Sequence, residues 1–351
     1  MSGSSLDGLD VVYCSITLTP SPDFTILFAR TYAYTESERT MLAHWSTRRA
    51  LATEEEDIRF AEIMAGYIQQ FIRTHNIVRI DAIASHGHTT YHQPDLGRTQ
   101  QIGDPHTMAR ILQVPVIGQF RQADVDAGGQ GAPLVPICDA MFFAGYDACL
   151  NIGGIANISY QTTSGRIGFD ICGANQLLNY FAQKAGVDFD AFGNIAASGT
   201  IHQETLFKLN AEPYLRSAPP KSLDNYTVFQ TAITTLENAA LPVADALATA
   251  VAFIAQQITL VIQQQPDRQP LDAYTLLVTG GGAFNTQLIR SIETQAGLTI
   301  QLPEANVINY KEALAMALMG ALFLEGKPNF LPSVTGAHKP VCGGVLALPT
   351  K

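Results

Sequence analysis

Met1-Ser2-Gly3-Ser4-Ser5-Leu6-Asp7-Gly8-Leu9-Asp10 opens the chain as a loop of small residues with two carboxylates, and it runs straight into the apolar stretch Val11 to Ile16. Such a loop can cradle phosphate. Gly3 and Gly8 admit backbone conformations closed to other residues, so several N–H groups can face one anion, while Ser2, Ser4 and Ser5 add hydroxyl donors. Asp7 and Asp10 can then hold a hydrated magnesium ion beside the phosphates. The same residue types also build an ordinary turn, so corroboration has to come from the rest of the chain.

Composition narrows the classes. With 351 residues, 47% of them hydrophobic and 15% charged, the chain can bury one large or two ordinary cores, and a two-lobed soluble protein is expected. A formal charge of −10 without a long Lys/Arg cluster argues against a nucleic-acid groove. No apolar run approaches the roughly 20 residues of a membrane span, and the first residues lack the basic and apolar blocks of a signal peptide. A cytoplasmic protein with no membrane partner is expected. Cys14, Cys138, Cys149, Cys172 and Cys342 are odd in number and far apart, as suits reduced thiols, and they show no metal-ligand spacing.

Residues 9 to 19 and 24 to 35 read as a hairpin turned by Pro20-Ser21-Pro22-Asp23. A helix is expected from about Glu54 to His75, strands at Asp81 to Ser85 and Pro115 to Phe120, and a helix at Pro105 to Leu112 between them, an alternation that predicts an α/β layer. The second half repeats the theme, with strands at Cys149 to Ile152, Asn157 to Gln161 and Arg166 to Asp170. Val243 to Gln265 carries Leu247, Val251, Ile254, Ile258, Val261 and Ile262 at core-helix spacing. Tyr274 to Val278 is a buried strand, Asn285 to Ala296 a helix, and Lys311 to Leu324 a final apolar helix. A hairpin and a glycine loop near each end suggest one fold used twice.

Four further segments can carry chemistry. Gly280, Gly281 and Gly282 follow a buried strand, where bare glycines let a ring or phosphate approach the main chain and a following helix N-terminus favours negative charge; a tight turn needs the same glycines. Asp170, in Gly168-Phe169-Asp170-Ile171-Cys172, stands at the end of a strand, positioned as a general base or as the N-cap of the next helix. Arg121 precedes the glycine loop Gly128-Gly129-Gln130-Gly131-Ala132-Pro133, and can clamp a phosphate or carboxylate with its fork of donors or simply be solvated. His86, His88 and His92 suit hydrogen bonds to a polar ligand better than a metal, because no companion Cys or Glu has the spacing. Glu312 begins an apolar helix, where a carboxylate complements the dipole.

In order, these segments resemble the anhydro-N-acetylmuramic acid kinase family. The resemblance rests on Met1 to Asp10, Ser85 to Pro94, Gln101 to Pro105, Phe120-Arg121 with Gly128 to Pro136, Asn151 to Gly154, Gly168 to Asp170, Pro220 to Ser222, Thr279 to Gly282, Lys311 to Ala315 and Leu331 to Ala337, and it covers nearly the whole chain. It implies an α/β, two-lobed sugar kinase/actin/Hsp70-like fold of duplicated ribonuclease H-like domains with a central cleft. Residues 1–137 with 308–351 would form the N-terminal lobe and 138–307 the second.

The implied reaction uses ATP and Mg2+ to open a 1,6-anhydro amino sugar with water and phosphorylate the freed O6. The resemblance makes Asp170 the general base, puts Arg121 and Glu312 around sugar and transferred phosphate, assigns Gly3, Ser4, Ser5, Leu6, Asp7, Gly8, Leu9 and Asp10 to the ATP phosphates, and gives Gly280 to Gly282 to the nucleotide. It implies a homodimer. Family members usually carry a strand before the Met-Ser-Gly motif, so either the first sheet lacks that strand and exposes an edge, or the protein starts further upstream. Ile171 to Asn175 and Asn179 depart from the family pattern and bear on sugar specificity; Leu223 to Asn225 and His88 depart from it as well. A non-catalytic nucleotide- or sugar-binding relative and a kinase for another anhydro sugar are the rival readings.

Overall fold

The computed structural model describes residues 1–350 except 4, 5, 49, 220, 224 and 267. The chain divides into two compact units, Met1–Phe142 with Tyr310–Lys351, and Phe143–Asn309. The fold is α/β with mixed sheets, the class expected from the alternation of strand and helix patterns.

The first unit starts with the antiparallel hairpin β1 (Gly8–Thr17) and β2 (Asp23–Ala33), whose register runs from Gly8 opposite Ala33 to Thr17 opposite Asp23. Helix α1 (Glu36–Thr47) then forms where no helix is expected from apolar spacing; a capping box of Thr35 and Glu38 starts it, and it buries only Leu42 and Trp45. Helix α2 (Glu54–Thr74) has its own capping box, Thr53 with Glu56, and buries Phe60, Met64, Ile68 and Phe71 along one face.

Strand β3 is Ile83–Ala84, shorter than the expected Asp81 to Ser85, and among the described residues it pairs with β6 (Val116–Gly118) alone. Between them lie the hairpin of β4 (His88–Gln93) and β5 (Arg98–Ile102) and helix α3 (Pro105–Leu112), capped by Asp104. Helices α4 (Arg121–Asp126) and α5 (Pro136–Phe142) complete this segment.

The second unit is built on the sheet β10-β7-β8-β9, comprising β7 (Ala148–Ile152), β8 (Ile155–Thr162), β9 (Gly165–Gly173) and β10 (Leu276–Thr279). β7 pairs antiparallel with β8 and parallel with β10. Helix α6 (Asn175–Lys184) follows β9, and the short helices α7 (Asn194–Ser198), α8 (Gln203–Asn210), α9 (Asn225–Val228) and α10 (Thr234–Asn238) lead to α11 (Val243–Gln263). Leu247, Val251, Ile254, Ile258 and Ile262 of α11 are at most 2% exposed. Each such side chain contributes about 1.5–3 kcal/mol by leaving water, so α11 is the spine of this core.

Helix α12 (Thr286–Ala296) precedes α13 (Ala305–Leu324), which leaves helical dihedrals at Tyr310, where the chain re-enters the first unit. Helix α14 (Pro332–Thr335) and strand β11 (Val345–Ala347) end the described chain, and β11 pairs antiparallel with β6 in the sheet β11-β6-β3.

Two elements correct the reading of membrane propensity. α11 and α13 are 21 and 20 residues long, with mean hydropathy of 1.6 and 1.4, long and apolar enough to cross a bilayer. Their most apolar windows are 78% and 61% buried inside the protein, so the apolar surface is satisfied by packing. Among the described residues all five cysteines are free; Cys138, Cys149 and Cys172 are buried, whereas Cys342 is exposed.

Candidate active site

The predicted site residues fall in both units. In the first, Ser4 and Ser5 lie outside the described residues. The residue with left-handed backbone is Leu6, at φ 57°, not Gly8. Gly8 is needed for another reason: it already belongs to β1, and a Cβ there would lie 2.4 Å from the carbonyl oxygen of Tyr32. The loop is pinned through Ser2. The Tyr34 hydroxyl donates to Ser2 Oγ at 2.8 Å, Ser2 meets His88 Nδ1 at 3.0 Å, and Ser46 Oγ lies 2.9 Å from His88 Nε2. Because Ser46 gives its own proton to the Leu42 carbonyl, His88 Nε2–H is the donor in that last bond. Burial pushes His88 down to about 4, so the ring is neutral.

Asp10 is half-buried, and Thr31 donates its hydroxyl to Oδ1 at 2.6 Å. Burial raises its pKa against the lowering effect of Thr31, and the neighbouring charge of Asp7 raises it further. A carboxylate pair of this kind suits magnesium, which takes one or two carboxylates and completes its shell with phosphate oxygens and water. Among the described residues no group of three His, Cys, Asp or Glu side chains could hold a metal unaided.

Arg121 begins α4 and is fixed at two points: Nε donates to His86 Nε2 at 3.0 Å and an Nη donates to the Gly131 carbonyl at 2.7 Å. His86 Nδ1 lies 3.0 Å from the Gly87 carbonyl and so carries the ring proton. Burial, then Arg121, hold His86 well below its usual range, as a neutral acceptor requires. Burial lowers Arg121 to about 10, with Glu312 and Asp124 pulling the other way; it is cationic at neutral pH. Glu312 is solvent-exposed yet set deep in the unit. Its pKa is raised by desolvation and then by Asp10, while Lys311, the chain's amino terminus and Arg121 lower it. Glu312 therefore feels the charges of both Asp10 and Arg121. Glu312 does not begin its helix, since α13 starts at Ala305; it begins the part after the Tyr310 irregularity.

The scaffold under Arg121 is Asp124, which composition alone did not single out. Its Oδ2 accepts from the Gly131 N–H at 2.8 Å and its Oδ1 from the Thr335 hydroxyl at 2.8 Å. The Gln130 N–H also donates to the Thr335 carbonyl. Two motifs two hundred residues apart, Gly128 to Pro133 and Leu331 to Ala337, are thereby clasped around one carboxylate. Lys311 turns to Asp139, a buried pair at 3.0 Å.

In the second unit, Asp170 is neither at the end of its strand nor a helix cap. β9 continues to Gly173, and the N-cap of α6 is Ala174 without a side-chain bond. The carboxylate instead accepts the Leu223 N–H at Oδ2 (2.8 Å), while its backbone carbonyl accepts the Tyr214 hydroxyl at 2.8 Å. Burial raises its pKa and the Leu223 bond moderates the rise. Lys221 lies 4.8 Å over the Tyr214 ring.

Gly280 has φ +81°, and a Cβ there would come 2.7 Å from the Asn151 side chain and the Ile152 carbonyl. The glycines do not open a helix directly. A short turn of 3-10 helix, Gly281–Phe284, intervenes before α12, whose cap is Asn285 accepting from Leu288 N–H. Asn175 donates to the Ile152 carbonyl at 3.0 Å, so Asn151, Gly153, Asn175 and Gly280 to Gly282 line one backbone-rich surface.

Proteins similar to this chain define a class first: it is a sugar kinase. The family model described as anhydro-N-acetylmuramic acid kinase matches residues 1–349, and the chain belongs to that family. An anhydro-N-acetylmuramic acid kinase of Methylobacterium nodulans is 33% identical over 99% of this chain and 98% of that protein. Another, of Xylella fastidiosa, is 34% identical over 96% and 92%. Among solved structures, the ADPNP-bound activator of a 2-hydroxyisocaproyl-CoA dehydratase from Clostridium difficile is similar over 53% of this chain and 63% of that one, at 16% identity and a TM-score of 0.35.

Proposed function

We propose that the chain catalyses ATP-dependent hydrolytic opening and phosphorylation of 1,6-anhydro-N-acetylmuramic acid. Water adds to the anomeric carbon C1, the C1–O6 bond breaks with its electron pair passing to O6, and O6 attacks the γ-phosphorus while the bond to the ADP oxygen breaks. The proton of the attacking water goes to Asp170. The products are N-acetylmuramic acid 6-phosphate and ADP.

The observation that carries this reading is the Asp170 carboxylate, held by one backbone N–H and desolvated so that its proton affinity exceeds that of a free aspartate. A general base works best when its pKa approaches the working pH and its position is fixed. Arg121 orients sugar and transferred phosphoryl with donors that Gly131 and His86 hold in place. Glu312 completes the polar group on the same unit. Gly3 to Asp10 take the ATP phosphates, Gly280 to Gly282 the nucleotide, and Asp7 with Asp10 the magnesium ion. When bound, that ion neutralises phosphate charge during transfer. The same reading expects a cytoplasmic homodimer; sedimentation as a monomer at micromolar concentration would overturn the latter.

The test is a coupled assay with ATP, magnesium and 1,6-anhydro-N-acetylmuramic acid. Release of ADP that depends on the sugar, with 18O from water appearing at C1 and not in phosphate, is the expected result. Sugar-independent release, or none from folded protein, sinks the proposal.

A further inference from the structure

Asp170 stands on the edge strand of its sheet, since among the described residues β9 pairs only with β8 in the order β10-β7-β8-β9. Its main-chain groups turn away from β8 to other partners. The N–H donates to the Lys221 carbonyl at 3.3 Å, and the C=O accepts the Tyr214 hydroxyl at 2.8 Å. The register between β8 and β9 slips just after it, with Asn157 opposite Asp170 and Ala156 opposite Cys172, so β9 bulges at Ile171. A bulge re-aims a neighbouring side chain and disrupts the ladder beside it, which leaves the Asp170 carboxylate dependent on support from the open side. That support is the strap Lys221-Ser222-Leu223, whose last N–H holds the carboxylate at 2.8 Å.

Lys221 grips through its backbone and its side chain alike. Its ammonium donates to the carbonyls of Tyr214 at 3.4 Å and Leu215 at 3.2 Å, in the 3-10 turn Pro213–Arg216. The same ammonium lies 4.8 Å from the centre of the Tyr214 ring and 5.7 Å from that of Phe169, the residue before Asp170. A circuit closes: Asp170 reaches Lys221 through the backbone, Lys221 reaches Tyr214 through the ammonium, and Tyr214 returns to Asp170 through its hydroxyl. Bonds from a cation to carbonyls, backed by two ring faces, are stronger than neutral ones.

We propose that Lys221 is a positioning residue for Asp170, locking the strap to the Tyr214 turn and so setting the Leu223 N–H on the carboxylate. This rests on Asp170 as the base of the proposed reaction. Lys221 acts through geometry: an N–H aimed at the carboxylate favours its charged form and keeps it in one orientation. Burial pushes the neighbouring Tyr214 up, with Asp170 raising it further, and pushes Cys172 up to about 12, with Lys221 pulling it back. Both are therefore neutral at working pH, and the Leu223 N–H is what moderates Asp170.

The test is a 13C NMR titration of the Asp170 carboxyl in the full, unliganded chain, with D170N fixing the assignment, followed by the acid limb of kcat/KM in the coupled assay. K221M keeps an unbranched apolar stem and removes the cation. The Asp170 titration and the acid limb should both move up by about one pH unit, the worth of a weakened hydrogen bond to a charged group. Leu223 amide exchange should quicken at least about tenfold. K221R, whose fork can serve both carbonyls, should restore the wild-type values. Y214F keeps the ring and the Lys221 charge but opens the circuit, so it should shift Asp170 the same way, and it decides the matter where K221M folds poorly. An unchanged Asp170 titration in folded K221M or in Y214F, or a K221R shifted as far as K221M, overturns the proposal. The titration needs neither sugar nor nucleotide, so its failure is distinct from failure of the sugar-dependent ADP release that tests the kinase reading.

Discussion

In the proposed mechanism Asp170 is the general base. Its carboxylate has one fixed donor, Leu223 N–H, and a raised pKa from burial. Replacing it by asparagine keeps an acceptor oxygen for that N–H while removing the basic oxygen. We expect D170N to lose about 10²–10⁴-fold in kcat, the range for general-base removal, with ADP affinity by calorimetry unchanged; near-normal turnover would reduce Asp170 to a structural acceptor. The base must be ionised to work, and its folded pKa lies above the ordinary value, so the acid limb of kcat/KM should fall above pH 3.8. A limb below that value excludes the assignment. Arg121 is a second residue-scale case. Lysine keeps the charge but cannot both donate to His86 and reach the Gly131 carbonyl from a rigid fork. R121K should lose roughly 10²-fold in kcat/KM, the effect of misplacing a positioning group by about 1 Å, and a rate close to wild type would mean that charge alone matters.

Elements decide where these side chains sit. The Gly128 to Pro133 loop and the segment Leu331 to Ala337 are held by Asp124, and a Cβ on Gly129 would lie 2.2 Å from Asp124 Oδ2. G129A should therefore destabilise the protein by about 1–3 kcal/mol, the usual range for overpacking a filled site, and should also raise KM because Gly131 helps to hold Arg121. Urea melts and sugar titration read the two effects separately; an unchanged midpoint refutes the clasp. The strands, the long helices and the hairpin were legible at this scale, because apolar periodicity and turn residues are local signals. The end of β9 was not: Gly173 reads as a loop residue, yet its pairing with Ile155 carries the strand past Asp170. Helix α1 was missed for the converse reason, since its start is set by a capping box and its buried side is just two residues.

On the scale of the whole molecule, buried histidines tie stability to pH. His88 has a folded pKa of about 4 against an ordinary value of 6.5. The unfolded chain thus binds the extra proton between those values, so His88 stabilises fully above pH 6.5 and progressively less as pH falls toward 4. The loss should reach about 2 kcal/mol by pH 5, with His86 acting in the same direction. Denaturant midpoints at pH 7 and 5 check this, and H88Q should flatten the difference; an equal slope in H88Q would show that His88 is not responsible. By itself the sequence determined the α/β class, the apolar spine of α11 and the family, all of which follow from local periodicity or from ordered motifs. Only the tertiary structure decided that Thr335 and Gly131 share Asp124 and that Asp170 answers to Leu223. The Asp170–Leu223 and Asp124–Thr335 bonds join residues 53 and 211 positions apart, and no local pattern of side chains encodes such a partner.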